Sequence, residues 1–327
     1  MKNFQYIIKL PPENICKIDT LSTDLAIEII SDWLKMDKRS ISKKQWAVLE
    51  DMLKKAKLFP LYIKLIYDVI SKWTSFYDAD QDLEFRKCLN IDECIRYLFK
   101  LFEKSHGKLL FSRCVIYMST FANGISENEI EDILSLDDDV LYSIFEFHAP
   151  PVRKLPIALW ARIKYDLTGY MVEKEMEGSR VIYWYHRRFI EVAQTHYVTK
   201  LDKSVFMNVI DFFNETWKHK PKPYKFNEYV AKKNKVTGQE LEAIRDTSFQ
   251  PTVFIDKNGN LKFNIRKIQE FPEFIFKLNK NVASTIAAEH IYYNFHFLTG
   301  MVCFTDTDTI FDKARQFSEG SRYRSKL

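Results

Sequence analysis

Apolar residues recur at helical spacing along most of this chain. After Ser22, the row Leu25, Ile29 and Trp33 runs beside the row Ala26, Ile30 and Leu34. Together they predict a capped helix to about Met36 with one continuous buried stripe. Ser42-Lys-Lys-Gln45 has the form of a capping box and opens a second helix through about Lys55. Pro60 stands at the first turn of a third helix, where its missing N–H costs nothing. Leu65, Val69 and Trp73, beside Ile66 and Ile70, give that helix its apolar face. Three short amphipathic helices predict a small bundle over 20–76. The polar, acidic stretch that follows, YDADQDLEFRK, reads as a linker over 77–90.

A second pattern begins at about Ile91. One helix runs to about Phe102, and KLLFSRCVIYMSTF forms the next, stopped by Asn123-Gly124 as a C-cap pair. Ser126-Glu-Asn-Glu129 is another capping box, and Ile130, Ile133 and Leu134 follow on one face. A short helix at Val140–Phe147 leads into the proline-broken loop HAPPVRKLP. A helix over about Ile157–Tyr170 then carries Leu159, Ile163 and Leu167 at one-turn spacing. MEGSRVIYWYH combines a glycine turn with a β-branched and aromatic run, the mark of one arm of a hairpin. Helix resumes at Arg187. This order is a winged-helix layout over 91–200, with Trp160, Trp184 and Phe189 expected in its core.

Beyond it, Val205–Trp217 is amphipathic, with Phe206, Ile210, Phe213 and Trp217 on one face. Lys257-Asn-Gly-Asn260 predicts a hairpin near 252–264. Pro272 marks a boundary or kink in the next helix, and a last helix is expected over about Ser284–Val302. Residues 201–327 thus read as an incomplete second helical domain. The fold class is mainly α: a small helical bundle, a winged helix with a short β-hairpin, and a partial helical domain.

Composition agrees with that class. Only 8 of 327 residues are glycine while 15% are aromatic, which favours helices over hairpin-rich sheet. The net charge of +5 is small, and its charges are interspersed as solvated faces need. No basic stripe marks a nucleic-acid partner. Five irregularly spaced cysteines read as reduced thiols of a cytoplasmic protein, and no His/Cys spacing suggests a metal. No apolar run approaches the ~18 residues of a membrane span, so no membrane partner is expected. The sequence shows neither a glycine-rich phosphate loop nor a nucleophile elbow, so no catalytic residue is assigned. Glu129/Glu131 and Asp137-Asp138-Asp139 read as caps and dipole complements at helix ends.

Two local patterns carry more. AKLFPLYIKL places Pro60-Leu61 at a helix entry, and WYHRRFIEV places His186, Phe189 and Glu191 where a strand hands over to a helix. With LSTDLAIEIISDWL, ISENEIEDILSLDDDVL and FNIRKIQEFPEFIF in the same order, they resemble STAND-class NTPases with a NACHT domain. The resemblance is to the NACHT and WD-repeat type, similar to telomerase-associated protein and nephrocystin-3, over most of 20–300. It implies that residues 1–19 are the tail of a NACHT core, followed by the family's helical domain and winged helix. It further implies that Pro60 and Leu61 lie beside the adenine of bound ADP or ATP, and that His186 touches the β-phosphate of ADP. Leu58-Phe59 stand where the family has a small residue before the Pro-Leu pair. A histidine donating to phosphate contributes about 1.5–3 kcal/mol, or roughly 10–100-fold in affinity. That biases a switch without being catalysis. No nucleotide is expected to bind without the NACHT core.

The implied function is therefore the regulatory lid of a nucleotide-gated signalling NTPase. Its implied partners are its own upstream NACHT domain and proteins bound through helical or WD-repeat regions. Two other readings stand beside it. One is an ungated helical scaffold that only binds proteins. The other is a winged-helix nucleic-acid binder, whose reading helix IALWARIKYDL offers only Arg162 and Lys164 as cations.

Overall fold

The computed structural model describes residues 19–147, 150, 153–176, 178–223, 242–243, 245, 247–305 and 315. All of the expected NACHT tail at 1–19 except Asp19 lies outside them, as do parts of the proline loop and of the 218–262 stretch. The chain divides into two compact units, 1–101 and 102–327.

In the first unit, α1 (Thr23–Met36), α2 (Lys43–Lys55) and α3 (Pro60–Ile70) begin where their caps place them. Ser22 Oγ accepts the Leu25 amide, and Ser42 and Gln45 complete the capping box. α1 packs on α2 and α3 through Ala26, Ile30 and Leu34. The other predicted row is not part of that core: Ile29 and Trp33 are half-buried and Leu25 is 41% exposed. A helix on a small bundle covers one side of its apolar arc more deeply than the other.

The stretch 77–90 is folded. Asp82 accepts the Tyr77 hydroxyl at 2.5 Å, the Tyr97 hydroxyl at 2.7 Å and the amides of Phe85 and Glu84. Burial raises its pKa, but those donors outweigh burial and hold the carboxyl below its usual range. Phe85 is fully buried against Trp73 and Tyr97. α4 (Ile91–His106) runs past the division between the units.

The second unit contains α5 (Lys108–Thr120), buried on nearly every side. α5 ends at Thr120, before Asn123-Gly124, so that pair is not its C-cap. Gly124, at φ +67°, instead turns the chain into β1 (Ile125–Ser126) under the ring of Tyr183, where a Cβ would lie 2.8 Å from Ile182 O. The Ser126/Glu129 capping box opens α6 (Glu127–Leu136), and α7 (Asp138–Ile144) follows. α8 (Ile157–Leu167) buries Trp160, Ile163 and Leu167 and passes through a 3-10 turn at Thr168–Tyr170. β2 (Met171–Met176) and β3 (Ser179–Trp184) pair antiparallel from Met171↔Trp184 to Met176↔Ser179. β1 adds to the other edge of β3 at Ile125↔Ile182, giving the order β1-β3-β2. α9 (Arg187–His196) leaves the end of β3.

α10 (Met207–Asn214) buries Ile210, Phe212 and Phe213, and Glu215 ends it in a left-handed conformation. β4 (Lys222–Pro223) pairs with β5 (Glu242–Ala243), and β6 (Val253–Ile255) forms the expected hairpin with β7 (Leu261–Phe263). α11 (Ile265–Lys277) continues past Pro272 rather than ending there. Proline removes one helical hydrogen bond, and the buried row Ile268, Phe271, Phe274 and Ile275 holds the helix despite it. The single last helix is two: α12 (Lys280–Ala287), extended by a π turn, and α13 (Phe295–Phe304). Asn294 breaks them by capping Phe297.

One polar cluster joins α11 to the winged-helix layer. Arg266 grips Glu129 with Nε at 3.0 Å and Nη2 at 2.8 Å, and donates to the carbonyls of Asn123 and Gly124. One turn on, Glu270 accepts the amides of Ala122 and Asn123. Burial raises the pKa of Glu270, and Arg266 and those amides work against that rise. Glu129 is thus more than a cap.

Arg266→Ala leaves two buried carboxylates without their counter-charge and should destabilise the second unit by about 3–5 kcal/mol, read by chemical denaturation. Lys267, donating to Gln250 O, gives a pH signature. Burial pushes its ammonium down to about 8 from an ordinary 10.5. Between those values the unfolded chain holds a proton that the folded chain has released, so stability rises with pH across that window. Lys267→Met should flatten the rise, and denaturation midpoints at pH 8 and pH 10 measure it.

Candidate functional site

The strand-to-helix corner at His186 is built from aromatic packing. Trp184, at the end of β3, stacks on Phe189 in the first turn of α9, with centroids 5.2 Å apart and an interplanar angle of 9°. The Trp184 indole donates to Ser119 Oγ at 2.9 Å, and Gln194 in α9 donates to Ser119 O. Tyr170 packs on Phe189, and Tyr170 O accepts the Tyr185 amide. Phe189, Trp160 and Trp184 are core residues, as their positions in the pattern require.

On this base His186 is the N-cap of α9. Its Nδ1 accepts the Arg188 amide at 3.1 Å. In that arrangement Nδ1 carries no proton, so Nε2 carries one and is a donor. The ring is half-buried, and among the described residues no partner takes that Nε2 proton. Arg187, with a side chain 85% exposed, and Arg188 both reach Glu191, at 3.0 and 2.6 Å. The first turn of α9 therefore offers one fixed imidazole donor and two arginines held by one carboxylate.

Pro60 and Leu61 belong to the first unit and His186 to the second. Pro60 is exposed at N1 of α3, Leu61 is half-buried, and Phe59 before them is exposed. Leu58 is buried, and its carbonyl accepts the Leu21 amide at 2.8 Å. The bulky pair Leu58-Phe59 thus splits, with one side chain in the core and one outside.

A model of the NWD1-like, winged helix-turn-helix domain matches residues 82–204. Residues 82–204 thus form a winged-helix domain of the NWD1-like kind, and the chain is similar to NACHT and WD repeat-containing proteins. The chain is 27% identical over 273 residues to NACHT domain- and WD repeat-containing protein 1 of Homo sapiens, covering 81% of this chain and 16% of that protein. It is 28% identical over 209 residues to NACHT and WD repeat domain-containing protein 2 of Mus musculus, covering 63% of this chain and 12% of that protein. It therefore spans a small part of the length of these curated relatives. No solved structure matches it significantly.

In the NWD1-like winged helix, β2 and β3 form the wing and α8 is the helix that precedes it. A winged helix is not itself a catalytic domain. Among the described residues no helix is long and apolar enough to cross a membrane, and no group of His, Cys, Asp and Glu could hold a metal ion. Two features lay beyond sequence reading: β1, only two residues long, and the Arg266–Glu129 pair, 137 residues apart. The i,i+4 spacing of Arg266 and Glu270 on one helix was the available signal for the second.

His186→Ala removes the side-chain cap and should destabilise the second unit by about 0.5–1 kcal/mol, whereas His186→Asn, a strong capping residue, should keep its stability. Urea titration of both variants distinguishes them.

Proposed function

We propose that this chain is the regulatory lid of a nucleotide-gated signalling protein. The observation that carries the reading is the fixed imidazole of His186. Its Nδ1 is occupied by the Arg188 amide, which leaves Nε2–H as a donor beside the start of α9. That geometry suits an anionic oxygen such as the β-phosphate of ADP. The helix N-terminus adds favourable partial charge there. In this reading the phosphate-binding domain belongs to the NACHT part of a longer polypeptide. The winged helix contributes a closing contact rather than a reacting group.

In this reading ADP holds the lid closed through His186, while Pro60 and Leu61 lie against the base. Exchange to ATP frees the winged helix and exposes surfaces for assembly with partner proteins, in the cytoplasm. The exposure of Phe59 and Pro60 supports an apolar contact to a ring. The nucleic-acid reading loses support at α8. Lys164 is taken up by Glu127 at 2.6 Å and Glu173 at 2.7 Å, which leaves Arg162 as that helix's available cation. Groove readers need several polar contacts to phosphates and base edges.

The test uses a polypeptide in which this chain is joined to its NACHT domain. His186→Ala and His186→Asn should both weaken ADP retention by roughly 10–100-fold, although only the first loses the cap. ADP retained equally by all three proteins, measured by release of labelled nucleotide, would favour the ungated scaffold.

A further inference from the structure

The outer face of α8 has the wrong composition for water. Its inner face buries Trp160, Ile163 and Leu167. The opposite stripe reads Ile157, Ala158, Ala161, Arg162 and Tyr165, all exposed, with Ile157 at 67% and Tyr165 at 81%. A solvent-facing helical stripe is normally charged or polar. Here two large apolar side chains flank a floor of alanines, and one cation stands among them. The floor continues into an open concavity of about 570 Å³, closed on its far side by Ser105 and His106 at the end of α4.

Arg162 has no hydrogen-bond or ion-pair partner among the described residues. Its natural helical partner is Asp166, one turn on, but Asp166 is bound by His106 Nε2 at 2.8 Å. The other carboxylates that reach α8, Glu127 and Glu173, are held by Lys164. Among the described residues, the carboxylates near this face are therefore all held by other cations.

We propose that this face docks an acidic amphipathic helix of a protein partner. The partner's small or aliphatic side chains lie over Ala158 and Ala161, between Ile157 and Tyr165, and its carboxylate meets Arg162. Alanines let two helix backbones approach closely, and the large residues at either end supply buried apolar area. A second copy of this chain does not fit, because a two-fold contact across this face opposes Arg162 with itself or with apolar residues. Nucleic acid does not fit, because one cation among apolar side chains cannot follow a phosphate backbone. The proposal rests on α8 alone and stands or falls independently of nucleotide gating at His186.

The test places the photo-crosslinker p-benzoylphenylalanine at position 165 of the full chain, irradiates the cells that express it, and identifies the crosslinked segment by mass spectrometry. That segment is then synthesised as a labelled peptide and titrated by fluorescence anisotropy. The expected segment is an amphipathic helix with a carboxylate on its apolar border. Arg162→Glu should weaken its binding by about tenfold or more, and a lysine in place of the peptide's carboxylate should recover most of that loss. Ala161→Trp, also at an exposed position, should abolish binding by blocking close approach, with an unchanged thermal melt. The proposal is overturned by crosslinks only to another copy of this chain, by no crosslink at all, or by a peptide whose affinity ignores Arg162→Glu. Stronger binding to phosphatidylserine vesicles or to duplex DNA than to the peptide also overturns it.

Discussion

Glu129 is the residue on which the second unit turns. Its carboxylate accepts the Ser126 amide at 2.8 Å, which starts α6 and fixes the end of β1. Its two oxygens, Oε1 and Oε2, also accept Nε and Nη2 of Arg266 from α11. Arg266 and Glu270 then hold the Ala122–Gly124 turn from outside, by its carbonyls and its amides. β1 pairs with β3, and β3 delivers the chain to His186. A buried charge is tolerable only when paired and fully hydrogen-bonded, so this cluster accepts little variation in geometry. The candidate nucleotide corner is thereby coupled to a helix some eighty residues further along the chain.

The corner at His186 illustrates how a weak sequence signal gains meaning. A histidine before two arginines is an ordinary local pattern. Stacking of Trp184 on Phe189 and the indole bond to Ser119 fix where α9 begins. The cap bond to the Arg188 amide then fixes which ring nitrogen donates. The two arginines are restrained by Glu191. A preorganised donor of this kind can discriminate between ligand states at little entropic cost.

The two faces of α8 separate packing from recognition. Trp160, Ile163 and Leu167 satisfy the core, yet the helix carries a second apolar stripe that is exposed among the described residues. Lys164 and Asp166, which would make the helix soluble and charged, are both committed to fixing it in place. What remains outward is Ile157, Ala158, Ala161 and Tyr165, with Arg162 among them.

The sequence by itself determined the local elements. Caps at Ser22, Ser42 and Ser126, proline at the start of α3 and the apolar rows placed most helices within a turn, because those signals act over three or four residues. The winged-helix order and its wing were legible for the same reason. Where local signals conflict, tertiary packing decided. It carried α11 through Pro272, divided the last helix at Asn294, and moved Gly124 from a helix cap to a turn beneath Tyr183. It also folded the acidic stretch around Asp82, because four donors converge there only after Tyr77 and Tyr97 are brought together. Only the tertiary structure could pair Arg266 with Glu129, or leave Arg162 without a carboxylate among the described residues. Those outcomes depend on charges far apart in sequence competing for the same few partners, and no periodicity along a chain records such a competition.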